Sequence, residues 1–286
     1  CKLLCKRSTV VEERMLKGMV RSSWVVFLLL VYVSCKEAPK YGPVDTDRAT
    51  NEPEVGSKDY PAVLKKVFAA HGGLDLWQSF RTLSFVIPKG SEKERHTIDL
   101  RTRKEHIYFS PELAIGFDGK GVWIKDKNQI YSGDPVFYHN LMFYFFAMPY
   151  VLADEGLHYE PTADLTFEGT SYPGIKIGFG DGVGISPKDE YYLYYHPQTH
   201  KMMWLGYTVT YGTDTTSNQI KYIQYKNWTK YKGLLLPSGL TWYKTEDNAP
   251  TSPSTMIQFD SITLYKGMPK TPIYEKPLEA RYAGGH

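Results

Sequence analysis

From Thr82 onward, apolar and polar residues alternate with a period of two in many short runs, and this constrains the fold more than any other feature. A period-two run buries one face and wets the other, so many such runs must share a core through a sheet. The runs fall at 83–87, 94–101, 105–110, 113–117 and 122–125, then at 165–170, 174–179, 190–196, 202–211, 219–228, 234–245 and 255–264. Turn-forming residues separate them: Asp118-Gly119, Tyr172-Pro173-Gly174, Gly182 and Gly184, His196-Pro197-Gln198, Lys232-Gly233, and a Pro/Ser-rich stretch at Pro250 and Pro253. About a dozen short strands joined mostly by short turns predict a mainly β fold, a large curved antiparallel sheet forming an unclosed barrel. The 23 tyrosines suit strands whose faces meet both core and water.

Two segments break the period. Asp59 and Pro61 start a lead helix, Leu64, Val67 and Phe68 recur at helical spacing, and His71-Gly72-Gly73 stops it. Leu74, Trp77 and Phe80 suggest a second short helical stretch. Mid-chain, Asp134-Pro135 opens a run to Leu152 that is apolar on nearly every side. Such a helix must be covered all round, by core or by membrane. Within a β-rich domain it is expected as a plug or lid inside the curled sheet, ended or kinked by Pro149.

The N-terminus carries an export signal. One positive charge at Arg21, an apolar run of about ten residues, and Val33-Ser34-Cys35 are the parts of a secretory signal. The run is shorter than the roughly 20 residues that a ~30 Å hydrocarbon core requires. Its end resembles the lipobox of bacterial lipoproteins, with Tyr32 where that motif usually has Leu, which makes Cys35 the expected lipidation site. The competing reading is an uncleaved signal anchor with an incidental Cys. Residues 1–18, opening with Cys1, are read as a mis-assigned start, 19–34 as the signal peptide, and 35–57 as the lipidated Cys and a flexible tether. Residues 58–270 form a single β-rich half-barrel domain and 271–286 a C-terminal tail. A mature chain with Cys35 as its sole cysteine has no disulfide framework, thiol catalyst or cysteine zinc site.

Sharper chemistry finds little support. The net charge of +3 makes no electrostatic case for nucleic acid. His196 and His200 are four apart across a Pro-containing turn, not on one helix face, and read as turn and surface residues. His71 reads as a cation favoured by a helix C-terminus. Asp164/Glu168 and Asp189/Glu190 could serve a glycosidase only if the fold brought two carboxylates into a cleft. No nucleophile elbow, phosphate loop or dinucleotide fingerprint occurs, and the glycines at 178–184 join two β patterns. Asn227-Trp228-Thr229 matches a glycosylation sequon that a bacterial lipoprotein rarely uses. No catalytic residue, metal site or cofactor is assigned.

Four stretches carry a resemblance: 71–77 (His-Gly-Gly-Leu-Asp-Leu-Trp), 145–150 (Phe-Phe-Ala-Met-Pro-Tyr), 189–199 with its Tyr-rich strand before His-Pro-Gln-Thr, and 233–237 (Gly-Leu-Leu-Leu-Pro). Together they resemble an uncharacterised family of Gram-negative lipoproteins and, more distantly, the periplasmic lipoprotein-carrier superfamily with the LolA/LolB-like fold. The resemblance implies an unclosed barrel with helices on its concave side and a hydrophobic cavity for acyl chains; it implies no catalytic residue. The expected function is a non-catalytic, membrane-anchored lipoprotein holding a lipid or acyl chain, located in the cell envelope at the outer membrane facing the periplasm. Phe143, Phe146 and Met148 of the internal helix and Tyr192, Tyr194 and Trp204 of the aromatic strands are the candidate ligand contacts. The alternatives are a scaffold with a filled core that binds other envelope proteins, and an envelope hydrolase. An apolar cavity of several hundred Å³ favours the first reading and a normally packed interior the second.

Overall fold

The computed structural model describes residues 60–179, 189–210 and 219–284. Cys35, the signal and tether segments, Asp59, Gly182 and Gly184 lie outside the described residues. Two helices lead, α1 (Ala62–Ala70) and α2 (Leu74–Gln78). Leu64, Val67 and Phe68 of α1 are buried, as their spacing requires. Gly72 and Gly73 follow at φ 106° and 91°. A Cβ on Gly72 would lie 2.5 Å from the Gly233 carbonyl oxygen, so two of the glycine-bearing stretches touch because residue 72 has no side chain.

The first meander is β1 (Thr82–Lys89), β2 (Glu92–Asp99), β3 (Glu105–Ser110), β4 (Leu113–Phe117) and β5 (Val122–Asp126). The internal segment then forms α3 (Pro135–Tyr138), α4 (Leu141–Phe146) and a 3₁₀ turn at Tyr150–Ala153. The second meander is β6 (Leu157–Phe167), β7 (Thr170–Phe179), β8 (Tyr191–Tyr195), β9 (Met202–Tyr207), β10 (Lys221–Tyr231), β11 (Leu234–Glu246) and β12 (Ala249–Gln258), and β13 (Asp260–Tyr265) and β14 (Arg281–Tyr282) complete the strands. Two seven-stranded antiparallel sheets result, in the orders β13-β1-β2-β3-β4-β5-β14 and β12-β11-β10-β9-β8-β7-β6. Neither closes into a barrel. Because β12 edges one sheet and β13 the other, the chain crosses between them at Phe259, which is buried. The unclosed β architecture expected from the alternation is therefore present, divided into two sheets.

Four details depart from expectation. The turn expected at Tyr172-Pro173-Gly174 lies within β7, and the chain turns instead at Glu168 and Gly169, which take φ 48° and 75°. The internal segment is not one helix: it breaks at His139 and Asn140, where Asn140 adopts φ 61°. The physical reason is Glu105, whose carboxylate accepts the Asn140 amide at 2.7 Å and His139 Nδ1 at 3.2 Å and so removes both residues from helical geometry. The run at 255–264 is two strands, broken where Phe259 turns into the core. The stretch around Pro250 and Pro253 is strand, because β12 is an edge and a missing N–H there costs no ladder bond.

One large core joins the two sheets through the helices. It holds Leu64 and Phe68 of α1, Phe85 and Ile98 of the first sheet, Leu193 and Ile223 of the second, and Phe143, Phe145 and Phe146 of α4. On the first sheet the register aligns Phe85, His96, Ile107, Ile115 and Ile124 in a buried row across five strands. No helix among the described residues is long and apolar enough to cross a membrane.

Candidate functional site

The internal segment positions the site. Successive residues of α4 diverge around its axis, so Phe146 stacks on Phe85 of β1 at 4.5 Å between ring centroids, while Phe145 meets Tyr207 of β9 at 5.3 Å and Trp242 of β11 at 5.7 Å. The helix thus fills the space between the two sheets there. Phe143, Phe146 and Met148 are fully buried in the main core. Tyr192, Tyr194 and Trp204 belong to a different cluster with Leu165, Tyr222 and Tyr243 on the other face of the second sheet. The structure therefore brings the six candidate residues together as two groups of three, not as one site.

Met148 also lines a cavity of about 330 Å³ beside the 3₁₀ turn. Its apolar wall includes Val151, Leu152, Leu157, Phe179 and Tyr191. Arg103 and Asp154 stand at the same wall as an ion pair, with Nη2 of Arg103 donating to both carboxylate oxygens at 2.5 and 2.7 Å. The guanidinium carbon lies 4.9 Å from the Phe143 ring centroid. A larger depression of about 490 Å³, at the β10–β12 end of the second sheet, is more open and mixes Trp242 and Ile257 with Lys221, Ser254 and Thr255. The smaller cavity is the more enclosed of the two, as a hydrocarbon chain needs, with Arg103, Asp154 and Glu155 as the charged part of its wall.

A second constellation escaped the sequence. Glu94, His96 and Glu105 are buried in the first sheet. His96 Nε2 donates to Glu94 at 2.6 Å and Nδ1 to Glu105 at 3.0 Å. Tyr138 donates to Glu94, and the Lys89 ammonium pairs with it. Carboxylates only accept, so two donating nitrogens make His96 an imidazolium. Burial works against its charge, but the bonds and charges of Glu105 and Glu94 outweigh burial and raise its pKa. Burial likewise opposes the Glu105 charge; bonds from His139 and His96 overcome it and bring its pKa down to about 2. The available signal was strand parity: Glu94 and His96 share a face with buried Ile98. With no part of His96 or Glu105 open to solvent, the cluster joins α3 and α4 to the sheet and offers a substrate no approach.

His71, His196 and His200 have structural partners. His71 is buried, and burial lowers its pKa to about 4, so it is neutral and not the helix-terminal cation expected from the sequence. Its Nδ1 donates to the Val67 carbonyl at 2.8 Å, and Nε2 accepts the Met202 amide at 3.4 Å. His196 Nδ1 accepts the amides of Gln198 and Thr199 within its turn, and His200 stacks on Tyr195. Among the described residues no group of His, Cys, Asp and Glu could hold a metal ion. Asp164 accepts from Ser171, while Asp189 accepts from Thr210 and Glu190 from Tyr192; these carboxylates serve strand ends and turns.

The chain is similar to solved structures of the LolA superfamily. A member from Nitrosomonas europaea has 10% identity, covering 75% of this chain and 96% of that one, at a TM-score of 0.45. A putative outer membrane lipoprotein-sorting protein domain from Vibrio parahaemolyticus has 10% identity over 70% of this chain and 95% of that one, at 0.39. A DUF1329 family protein from Desulfovibrio piger has 12% identity over 72% and 95%, at 0.38. No protein-family description and no curated protein matches the sequence. Of the resemblances read from the sequence, the more distant one, to the LolA superfamily, is found among solved structures.

Proposed function

We propose that this protein is a membrane-anchored lipoprotein that holds a lipid or acyl chain between its second sheet and the internal helical segment, without catalysis. The observation that carries the proposal is the 330 Å³ cavity, to whose wall Met148, Val151, Leu152, Leu157 and Phe179 contribute. Its volume lies within the ~300–1,000 Å³ of small-molecule sites. The anchor is a lipid on Cys35, and the place of action is the cell envelope, at the outer membrane facing the periplasm. An acyl anchor adds about 0.8 kcal/mol per buried CH₂, so more than one chain on Cys35 holds the protein without a spanning helix.

Native mass spectrometry of the full chain, purified from a Gram-negative host and supplied with phospholipid and fatty acid, tests the reading. Bound lipid in the wild type, lost when Leu157→Trp fills the cavity, is the expected result; an apo mass throughout overturns it. Peptide mass at Cys35 separately reports the anchor. Full burial of Phe143 and Phe146 favours a second reading, a scaffold that binds envelope proteins through its surface. The apo outcome selects that reading.

A further inference from the structure

Among the described residues, Arg103 is the one cavity-wall residue with a buried nitrogen or oxygen that lacks a hydrogen-bond partner. It sits in the β2–β3 turn at φ 58°, an unfavourable backbone for a residue with a side chain. The turn is fixed around Asp99, which accepts the Arg81 guanidinium at 2.6 and 2.8 Å, the Thr102 hydroxyl at 2.6 Å and the Arg101 amide at 3.0 Å. The Arg103 amide in turn donates to the Asp99 carbonyl at 2.8 Å. So constrained, the side chain runs to the cavity, where Phe143 and Tyr144 flank its guanidinium.

A guanidinium normally engages a carboxylate as a fork, through two nitrogens. Here Nη2 alone serves both Asp154 oxygens, and Nη1 is buried with no hydrogen-bond acceptor among the described residues. A buried cationic donor without an acceptor is costly, and an anionic oxygen brought to that wall would supply the missing partner. The apolar residues on the same wall supply the place for a chain attached to that oxygen.

We infer that the ligand is an amphiphile with an anionic oxygen head, carboxylate or phosphate, that Arg103 binds through the nitrogen Asp154 leaves free. The inference rests on the proposed chain-binding cavity and adds the head chemistry. Asp154 and exposed Glu155 also stand at the cavity and oppose an anion. Selectivity for the anion therefore comes from Arg103, against that background.

The test uses the full chain and three probes with one alkyl chain: dodecanoate, dodecyl phosphate and dodecanol. Their affinities are measured by native mass spectrometry and fluorescence titration in wild type, Arg103→Gln and Asp154→Asn. Both anionic probes, or one of them, should bind at least about tenfold tighter than the alcohol. A preference for dodecanoate points to a fatty acid, and one for dodecyl phosphate to a lipid phosphate. Arg103→Gln should abolish the preference for the anions over dodecanol, and an unchanged urea midpoint shows that the variant folds. Asp154→Asn should tighten the anions alone. Equal binding of all three probes, unaltered by either substitution, overturns the head assignment and leaves the chain-binding cavity standing. If no probe binds, the cavity reading itself fails. Should Arg103→Gln lose every probe, Asp154→Asn decides, and unchanged anion affinity there overturns the inference.

Discussion

At the scale of single residues, close approach rather than chemistry explains several identities. Gly116 of β4 pairs with Trp123 of β5, and a Cβ at 116 would lie 2.5 Å from Trp123 Cε2. The indole cannot withdraw, because it is fully buried, donates to the Tyr274 carbonyl at 3.0 Å and packs on Ala280. Gly116→Ala should therefore lower stability by about 1–3 kcal/mol, the range for overpacking, read as a lower urea midpoint at unchanged slope. An unchanged midpoint would show that the ring yields. The pair also shows where sequence reading stops. A glycine opposite a tryptophan is visible only once register is known, and Tyr191–Tyr195 is apolar or aromatic at every position. Alternation cannot tell which of its side chains face the helices, and the structure places Tyr192 and Tyr194 in a cluster apart from Phe143.

At the scale of elements, the strands were legible where one face is wet. β3 and β4 begin and end where the alternation does. The first six residues of β12 are hidden because Pro250 and Pro253 argue against strand, and only its edge position, a property of the whole sheet, removes the objection. The break between α3 and α4 was hidden for a related reason: its cause, Glu105, is 35 residues away in sequence. That charged joint has a pH signature. His96, with a raised pKa, contributes stability that is complete below its ordinary 6.5 and lost as pH rises through the raised value. Glu105, lowered to about 2, contributes stability that is complete above its ordinary 4.5 and lost as pH falls toward 2. The joint is thus strongest between pH 4.5 and 6.5. His96→Gln leaves buried Glu105 without the His96 cation and Glu94 with Lys89 alone, and should cost about 3–5 kcal/mol in that window, on the scale of a broken buried pair. The deficit should shrink toward alkaline pH, where the wild type also loses the charge. Urea unfolding across pH measures this; a deficit independent of pH would show that His96 acts by shape alone.

At the scale of the whole molecule, α4 is the part that makes two open sheets behave as one body. An open sheet has one face to bury, and here each sheet packs part of it against the same short helix, Phe146 on one side and Phe145 on the other. The core is continuous through that contact and includes residues from both sheets. Each sheet also has a buried tryptophan outside that core, Trp123 in the first and Trp204 in the second, so the two can be followed separately. Phe146→Ala removes the ring that stacks on Phe85 and meets Phe259 at 4.9 Å, where the chain crosses between the sheets. It should cost about 3–5 kcal/mol, as for a fully buried Phe. Its direct contacts here are with β1 and the crossover, so independent sheets would show the loss at Trp123 while Trp204 kept its wild-type midpoint. One shared core requires instead that both signals fall together, to the same lower urea concentration. Fluorine NMR of fluorotryptophan-labelled protein resolves the two signals, and separate midpoints would mean that α4 packs between the sheets without coupling them.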